Sequence, residues 1–284
     1  MEVGLHLIYA IALLVLTSMG LAVIYGMMRV INFAHGEFLM VGGYSLVLSV
    51  QAGINIWVAM FFVTPLVAGL FGLVIERFII RRLYGRILDT ILATWGLSLM
   101  LIGLASTIFG HQQRGVAPPL GSFELAGYRE SYYSVFIIIV TILLVVSIFA
   151  FLTRSRGGLI ARATMQNPQM AEALQVNTRA VYAWTFAAGA AISGFAGAVL
   201  VPLTGVVPTV GLIYVTNAFI TVISGGANAV TGTLIAGTVL GTISETATRF
   251  GSPVIGLVAL LVAAVILLRL MPTGITGRIF RRSI

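Results

Sequence analysis

The 284-residue sequence contains no cysteine, and its 16 basic residues are all arginine because lysine is absent as well. Without cysteine, the chain has no disulfide, no thiolate nucleophile and no cysteine-based metal site. Without lysine, it has no GxxxxGK[ST] loop, whose lysine binds the phosphates of ATP in many ATPases. Charged residues of either sign make up only 8% of the chain. These absences exclude a P-loop ATPase and all cysteine-dependent chemistry.

What the sequence has instead is long apolar runs. Hydrophobic residues make up 59% of the chain, the mean hydropathy is +1.09, and "YYSVFIIIVTILLVVSIFAFL" fills residues 132–152. One helical crossing of a bilayer needs about 20 such residues. Many runs of this length are not expected in a soluble α/β protein, and the alternating ten-residue strands of an outer-membrane barrel are absent. The pattern predicts an all-α polytopic membrane helix bundle that forms a single domain over residues 1–284.

The arginines indicate which loops face the cytoplasm, because cytoplasmic loops of membrane proteins are enriched in basic residues. The segment 110–131, "GHQQRGVAPPLGSFELAGYRES", has mixed charge and a Pro-Pro pair, and we expect it to be external. The N-terminus is then external and the C-terminus cytoplasmic, and the first apolar run, which lacks a cleavage site, is a retained span. The basic clusters are Arg77, Arg81, Arg82 and Arg86 beside Glu76; Arg154, Arg156, Arg162 and Arg179; and Arg269, Arg278, Arg281 and Arg282.

Between these markers the sequence predicts about eight or nine membrane segments. Residues 202–251 are the least regular part, because "GGANAVTG" interrupts the apolar pattern. They form either two tightly joined spans or a broken, re-entrant helix pair. The other spans are placed at residues 5–27, 36–50, 57–76, 89–109, 132–152, 180–201 and 253–270.

Two polar interruptions share a pattern. In "VINFAHGEFLM" (residues 30–40) and in "GGANAVTG", a helix stops at a short polar segment with glycine, and a helix rich in small residues follows. The similarity predicts an internal repeat, with chance as the alternative because glycine and alanine are abundant. Corresponding broken helices in two halves are typical of the translocation path of a transporter. Elsewhere, spacings such as Gly237 to Gly241 indicate close helix packing.

Ionisable residues inside the apolar segments are few and expensive, at about 3 kcal/mol each. His35 and Glu37 either belong to a gate or substrate path, or satisfy backbone groups freed at the break. Glu245 and Arg249, four residues apart, favour an ion pair. Arg29 and Arg249 flank the two breaks and are further available partners.

The cytoplasmic loop 153–179 contains one element that can be predicted in detail. Asn167 is a good N-cap, Pro168 suits the first helical position, and Met170 with Leu174 forms an apolar i, i+4 pair. We expect a helix of about nine residues, Pro168–Val176. A helix this short is marginal alone, so it either docks into a partner or packs on its own protein.

Several stretches resemble one family over nearly the whole chain. "VINFAHGEF", "NPQMAEALQVNTRAVYAWTFAAGAAISGFAGA", "ISGGANAVTGTLIAGTVLG" and "MPTGITGR" are similar to permease subunits of ABC importers for branched-chain amino acids, urea and related amides. Residues 81–101, "RRLYGRILDTILATWGLSLML", resemble the urea and short-chain amide branch more than the leucine branch. The external loop 110–131 matches neither branch.

The resemblance implies a translocation subunit of the bacterial inner membrane, with no catalytic residue and no cofactor of its own. Its partners would be membrane lipid, a second permease (identical or homologous), two cytoplasmic ATPase subunits that use the ATP, and an external solute-binding protein; nucleic acid is not expected. The expected contacts with the ATPase are Asn167, Pro168, Met170, Glu172, Leu174 and Val176. Polar groups expected along the substrate path are Asn32, His35, Glu37, Thr94, Trp95, Ser98, Asn217 and Thr221.

Two other classes of function stay open. An ion-coupled secondary transporter or channel also uses broken helices, but proton or sodium coupling favours several buried carboxylates, and only Glu37 and Glu245 qualify. An intramembrane hydrolase is disfavoured, because His6, His35 and His111 are scattered and no H-E-x-x-H motif occurs. The sequence therefore favours an importer of a small neutral or zwitterionic solute.

Overall fold

The structure is a computed structural model that describes residues 2–125, 128–226 and 228–280. Helices form nearly all of it, as the apolar composition predicted. A small antiparallel hairpin of β1 (Ser122–Leu125) and β2 (Tyr128–Ser131) lies in the loop predicted to be external. The helices are α1 (Glu2–Met28), α2 (His35–Gln51), α3 (Ile56–Val58), α4 (Thr64–Phe78), α5 (Ile87–Phe109), α6 (Tyr132–Arg154), α7 (Arg156–Gln166), α8 (Pro168–Ala173), α9 (Thr178–Thr204), α10 (Val210–Gly225), α11 (Ala229–Phe250), α12 (Pro253–Leu270) and α13 (Gly274–Phe280).

Within the described ranges, six helical segments are long and apolar enough to cross a bilayer. A π-helical turn, Ala59–Val63, joins α3 to α4, so these three elements form one span, Ile56–Phe78. A seventh span is counted if α10 and α11, between which the chain bends by 114°, are taken as one broken segment. The prediction of a polytopic helix bundle is confirmed. Besides the six long spans, the bundle contains the 17-residue helix α2 and the bent pair of α10 and α11.

Helix α9 lies at the centre of the bundle and packs against α1, α2 and α4. Its glycines allow backbones to approach where a side chain would not fit. A Cβ at Gly197 would collide with the carbonyl oxygen of Leu39 and would lie 2.8 Å from the Leu39 Cα, and Gly194 faces Gly42 at similarly close range. Small residues permit this packing between membrane helices. The core therefore centres on α9, whose glycines let neighbouring main chains approach closely.

The two predicted halves pack reciprocally. Helix α1 packs on α11, and α10 packs on α2. In the predicted repeat, α1 corresponds to α10 and α2 corresponds to α11. The contact between α1 and α11 is then equivalent to the contact between α10 and α2. This is the arrangement expected of an internal repeat, although the repeat itself stays a prediction from the sequence.

At the end of α4, Glu76 is fully buried although it belongs to the first arginine cluster. Arg81 donates to it through Nε and Nη2, at 3.1 and 2.9 Å, and the Tyr84 hydroxyl donates at 2.6 Å. Burial, and then the hydrogen bond to this carboxylate, raises the pKa of Tyr84. This group of three side chains fixes the turn between α4 and α5.

Candidate functional site

The first break separates α1 from α2 in the interior of the bundle. Helix α1 ends at Met28, and Arg29 then adopts a positive φ of 50°. The side-chain oxygen of Asn32 accepts a hydrogen bond from the Ala34 amide at 3.0 Å, and its main-chain oxygen accepts one from the His35 amide at 3.1 Å. Asn32 is fully buried. It therefore satisfies backbone groups that the interrupted helix leaves free.

His35 begins α2 and fixes the depth of the break. Its Nε2 lies 3.2 Å from the carbonyl oxygen of Thr17, and its Nδ1 lies 3.4 Å from the hydroxyl of Ser193. A carbonyl oxygen only accepts hydrogen bonds, so this geometry assigns the ring proton to Nε2. Thr17 and Ser193 lie near the midpoints of the 27-residue helices α1 and α9. Helix α2 therefore begins about halfway through the bundle.

Glu37 lies two residues further along α2 and is 1% exposed. The Ser98 hydroxyl of α5 donates to its Oε1 at 2.8 Å, whereas Oε2 has no hydrogen-bond partner among the described residues. The nearby Thr94 hydroxyl accepts from the Phe33 amide at 3.1 Å. The first break thus brings together five residues predicted for the substrate path: Asn32, His35, Glu37, Thr94 and Ser98.

The N-terminus of α10 meets the N-terminus of α2 at this point. A Cβ at Gly36 would collide with the carbonyl oxygen of Gly211 and would lie 2.7 Å from its Cα, and a Cβ at Gly211 would lie 2.9 Å from Glu37 Oε1. A helix N-terminus carries about half a positive charge. The N-termini of α2 and α10 both lie beside the Glu37 carboxylate and stabilise its negative charge. They add to the stabilisation that the single hydrogen bond from Ser98 provides. No pattern in the sequence indicated that Gly211 takes part in this junction.

The remaining predicted path residues lie apart from Glu37. Trp95 is 56% exposed on the outer surface of α5. On α10, the Asn217 side-chain oxygen is buried without a partner among the described residues, and the Thr221 hydroxyl donates to the Asn217 carbonyl at 2.7 Å. Helix α10 reaches the first break through Phe219, whose ring centroid lies 5.2 Å from that of Phe33. Asn217 and Thr221 therefore lie on the helix that reaches the first break, whereas Trp95 faces away from it.

The predicted ion pair between Glu245 and Arg249 is wrong. No ion pair joins these residues in the part of the chain that the structure describes, and Arg249 is exposed. Arg29 is also exposed. An exposed i, i+4 pair contributes only about 0.3–0.5 kcal/mol, which is too little to hold two long side chains in one geometry.

We expect His35→Ala to reduce solute uptake about tenfold or more while leaving the chain inserted in the membrane. The substitution removes the contacts to Thr17 and Ser193 and leaves a cavity where α2 begins, so α2 loses its fixed position against α1 and α9. Uptake per inserted protein is the measurement. Ser193→Ala is the control with the smaller expected effect, because the hydroxyl's shorter bond is to the Gly189 carbonyl at 2.8 Å. Unchanged uptake by His35→Ala would show that transport does not need the contacts of this histidine to Thr17 and Ser193.

The cytoplasmic loop contains a second candidate site. The predicted helix Pro168–Val176 is too long, because α8 ends at Ala173. Gln175 adopts a positive φ of 62°, its amide donates to the Glu172 carbonyl, and the Val176 amide donates to the Ala171 carbonyl. These two bonds are the Schellman arrangement that ends a helix, usually at glycine. Helix α7, which precedes α8, was not predicted.

The start of α8 is as expected, since the Asn167 side-chain oxygen accepts from the Met170 amide at 3.0 Å. Glu172 accepts a 2.5 Å hydrogen bond from Thr178 at the start of α9, and this bond ties α8 to a long membrane helix. Leu174 is 72% exposed, and Met170 is exposed beside it. The loop therefore presents two apolar side chains outside the bundle, on an element connected to α9.

No three His, Asp or Glu side chains among the described residues are close enough to hold a metal ion. The sequence comparisons indicate the class of protein instead. Residues 4–276 match the family model described as the permease component of the branched-chain amino acid transport system. The chain belongs to this permease family. Its members include BraD, the high-affinity branched-chain amino acid transport system permease protein of Pseudomonas aeruginosa, which is 31% identical over 93% of this chain and 91% of BraD.

Two further permeases of this family extend the comparison. LivH of Escherichia coli K12, also named a high-affinity branched-chain amino acid transport system permease protein, is 29% identical over 93% of this chain and 91% of LivH. A probable LivH of the archaeon Methanocaldococcus jannaschii is 30% identical over 93% of this chain and 89% of its own length. No solved structure matches the chain. The urea and short-chain amide branch, which residues 81–101 indicated, is not supported by these names.

Proposed function

We propose that this permease is the translocation subunit of an ATP-driven ABC importer and that its solute is a branched-chain amino acid. The match of residues 4–276 to the permease family carries the proposal. The curated relatives support it, because their names specify branched-chain amino acid transport and because about nine tenths of each relative aligns with this chain.

The chemistry at the junction of α2 and α10 suits a zwitterion. When the two helices separate, Glu37 Oε2 offers an acceptor without a partner to an ammonium group. The two helix N-termini offer partial positive charge to a carboxylate, as the ends of broken helices do in other transporters. Phe33 and Phe219 lie beside them and provide apolar surface for a branched side chain. The junction is therefore proposed as the gate that the solute passes.

If the importer uses ATP, another chain hydrolyses it, because the absence of lysine leaves no P-loop lysine here. The proposed complex contains this chain, a second permease, two cytoplasmic ATPase subunits and an external solute-binding protein. Helix α8, with Leu174 and Met170 exposed, is the proposed contact with the ATPase. The proposed orientation has the N-terminus outside and the C-terminus inside, according to the arginine clusters.

The proposal is tested by reconstituting the chain into liposomes alone and together with its genomic neighbours that encode a permease, ATPases and a binding protein. We expect ATP-dependent uptake of radiolabelled leucine only by the full complex. Uptake by the chain alone would contradict the ABC mechanism and favour an ion-coupled transporter or channel. ATP-dependent uptake of urea but not leucine would support the mechanism and contradict the proposed solute.

A further inference from the structure

A cavity of about 920 Å³ lies on the cytoplasmic side of the bundle, away from the junction of α2 and α10. Its walls come from the last turns of α1 and α6, from α7, from the first half of α9 and from the second break at residues 228–231. Pockets for drug-sized ligands range up to about 1,000 Å³, so this cavity is large for a single amino acid. Its size and position distinguish it from the proposed gate.

The walls are mainly apolar and include large side chains. Trp184 is 69% exposed, and Phe149 and Phe151 of α6 are also exposed. Ile160 and Met165 of α7 continue the same surface. Tryptophan is enriched where a membrane protein meets the boundary between lipid tails and headgroups. The lining is therefore suited to acyl chains rather than to a zwitterionic solute.

Two polar atoms in the lining have no hydrogen-bond partner. The Nε of Arg162 on α7 and the hydroxyl of Thr231 at the start of α11 are buried and unpaired among the described residues. Both groups are hydrogen-bond donors, and Arg162 is the one ionisable residue in the lining of this cavity. A planar guanidinium matches the geometry of a phosphate group. A buried donor without a partner is destabilising, so an acceptor at this place would stabilise the protein.

We propose that the cavity binds an anionic phospholipid, with its phosphate at Arg162 and Thr231 and its acyl chains along Trp184, Phe149 and Phe151. The combination of a positive charge, two unpaired donors and an apolar wall at the membrane boundary is complementary to this one class of molecule. The bound lipid would connect α6 and α7 with α9 and α11. The proposal goes beyond the transport function, and only the choice of the cytoplasmic leaflet rests on the proposed orientation.

The test uses the purified full-length chain, delipidated in detergent, with phosphatidylglycerol and phosphatidylcholine of identical acyl chains. Bound lipid is counted by native mass spectrometry, and stabilisation is followed by thermal unfolding. We expect Arg162→Gln to weaken phosphatidylglycerol binding about tenfold, as the loss of a hydrogen bond to a charged group does. Phosphatidylcholine binding should fall less, because its choline ammonium already offsets the phosphate charge that the guanidinium attracts. Arg154→Gln is the matched control, because Arg154 is exposed on α6 outside the cavity and its replacement removes the same charge.

A second variant tests the acyl-chain site independently of charge. Ala188→Trp on α9 adds bulk at an exposed position in the cavity wall, and we expect it to reduce binding of both lipids. Equal losses for Arg162→Gln and Arg154→Gln would overturn the proposal, because the effect would then be general surface charge. Unchanged lipid binding by Ala188→Trp would place the lipid elsewhere. Stabilisation by inorganic phosphate as strong as that by phosphatidylglycerol would indicate a small-anion site instead.

Discussion

Gly36→Ala is expected to abolish uptake and to lower the stability of the permease by about 3 kcal/mol. A methyl group at this position collides with the main chain of Gly211, and a backbone cannot move aside as a flexible side chain does. Inserting a methyl group into a packed core usually costs about 1–3 kcal/mol, and contact with a backbone lies at the upper end of this range. Gly36 is helical, so the effect comes from the collision and not from backbone strain.

The measurements for Gly36→Ala are leucine uptake by the reconstituted complex and thermal unfolding of the chain in detergent. Gly96→Ala and Gly103→Ala are matched controls, because both positions lie within α5 and a Cβ at either would meet nothing within 4 Å. These controls are expected to be neutral or slightly stabilising, since alanine favours a helix over glycine by about 1 kcal/mol. Normal uptake by Gly36→Ala would show that α2 and α10 are not in contact in the working protein.

Leu174→Asp is expected to abolish copurification of the proposed ATPase while leaving the permease inserted. The side chain is 72% exposed, so its replacement costs the isolated chain little. In an interface it would place a charge inside an apolar pocket, and residues at the centre of such pockets contribute 2 kcal/mol or more to binding, by rough estimate. ATPase activity of the purified complex and copurification with a tagged permease are the two readouts.

The matched control for this variant is Leu174→Met, which keeps an apolar side chain of similar volume at the same position. We expect this control to retain the ATPase at close to the wild-type level. Retention of the ATPase by Leu174→Asp would contradict the role proposed for α8. Loss of the permease from the membrane would instead indicate that Leu174 packs on its own chain.

The long spans were predictable because the bilayer sets their length. The sequence predicted spans at residues 89–109 and 132–152. The corresponding helices are Ile87–Phe109 and Tyr132–Arg154, so the predicted ends differ by at most two residues. The start of α10 was not predictable, because it is set by contact between Gly36 and Gly211, which are far apart in the sequence. Hydrophobicity identifies segments that are able to span a membrane as helices. It contains no information about which two main chains are in contact.

The errors in the cytoplasmic loop have local causes. Gln175 ends α8 in a left-handed conformation that usually requires glycine or asparagine, so no sequence signal marked the end. Helix α7 contains Gly157 and Gly158, which lower helix propensity, yet it forms because the Ser155 hydroxyl accepts from the Gly158 amide at 2.8 Å and because α7 packs on α6.

The candidate path was predictable where helical spacing was informative. Thr94 and Ser98 are four residues apart and therefore share one face of α5, and both are buried beside the first break. Trp95 is one position from Thr94 and is rotated by about 100° around the helix, which explains its exposure. The role of these residues in transport stays a prediction that uptake measurements have to decide.

The contacts of α9 also determine which parts of the permease are able to move. Helices α2, α4 and α9 interlock through Gly42, Gly194, Gly197 and Gly72, so sliding one of them would force main chains into each other. Packed cores of this kind shift as rigid bodies rather than deform. We expect the proposed gate to open by a movement of α10 away from α2, which separates Gly211 from Gly36 rather than sliding one past the other. Gly205 at the end of α9 and Gly226 at the end of α10 both have positive φ values, and we expect them to act as the hinges of this movement.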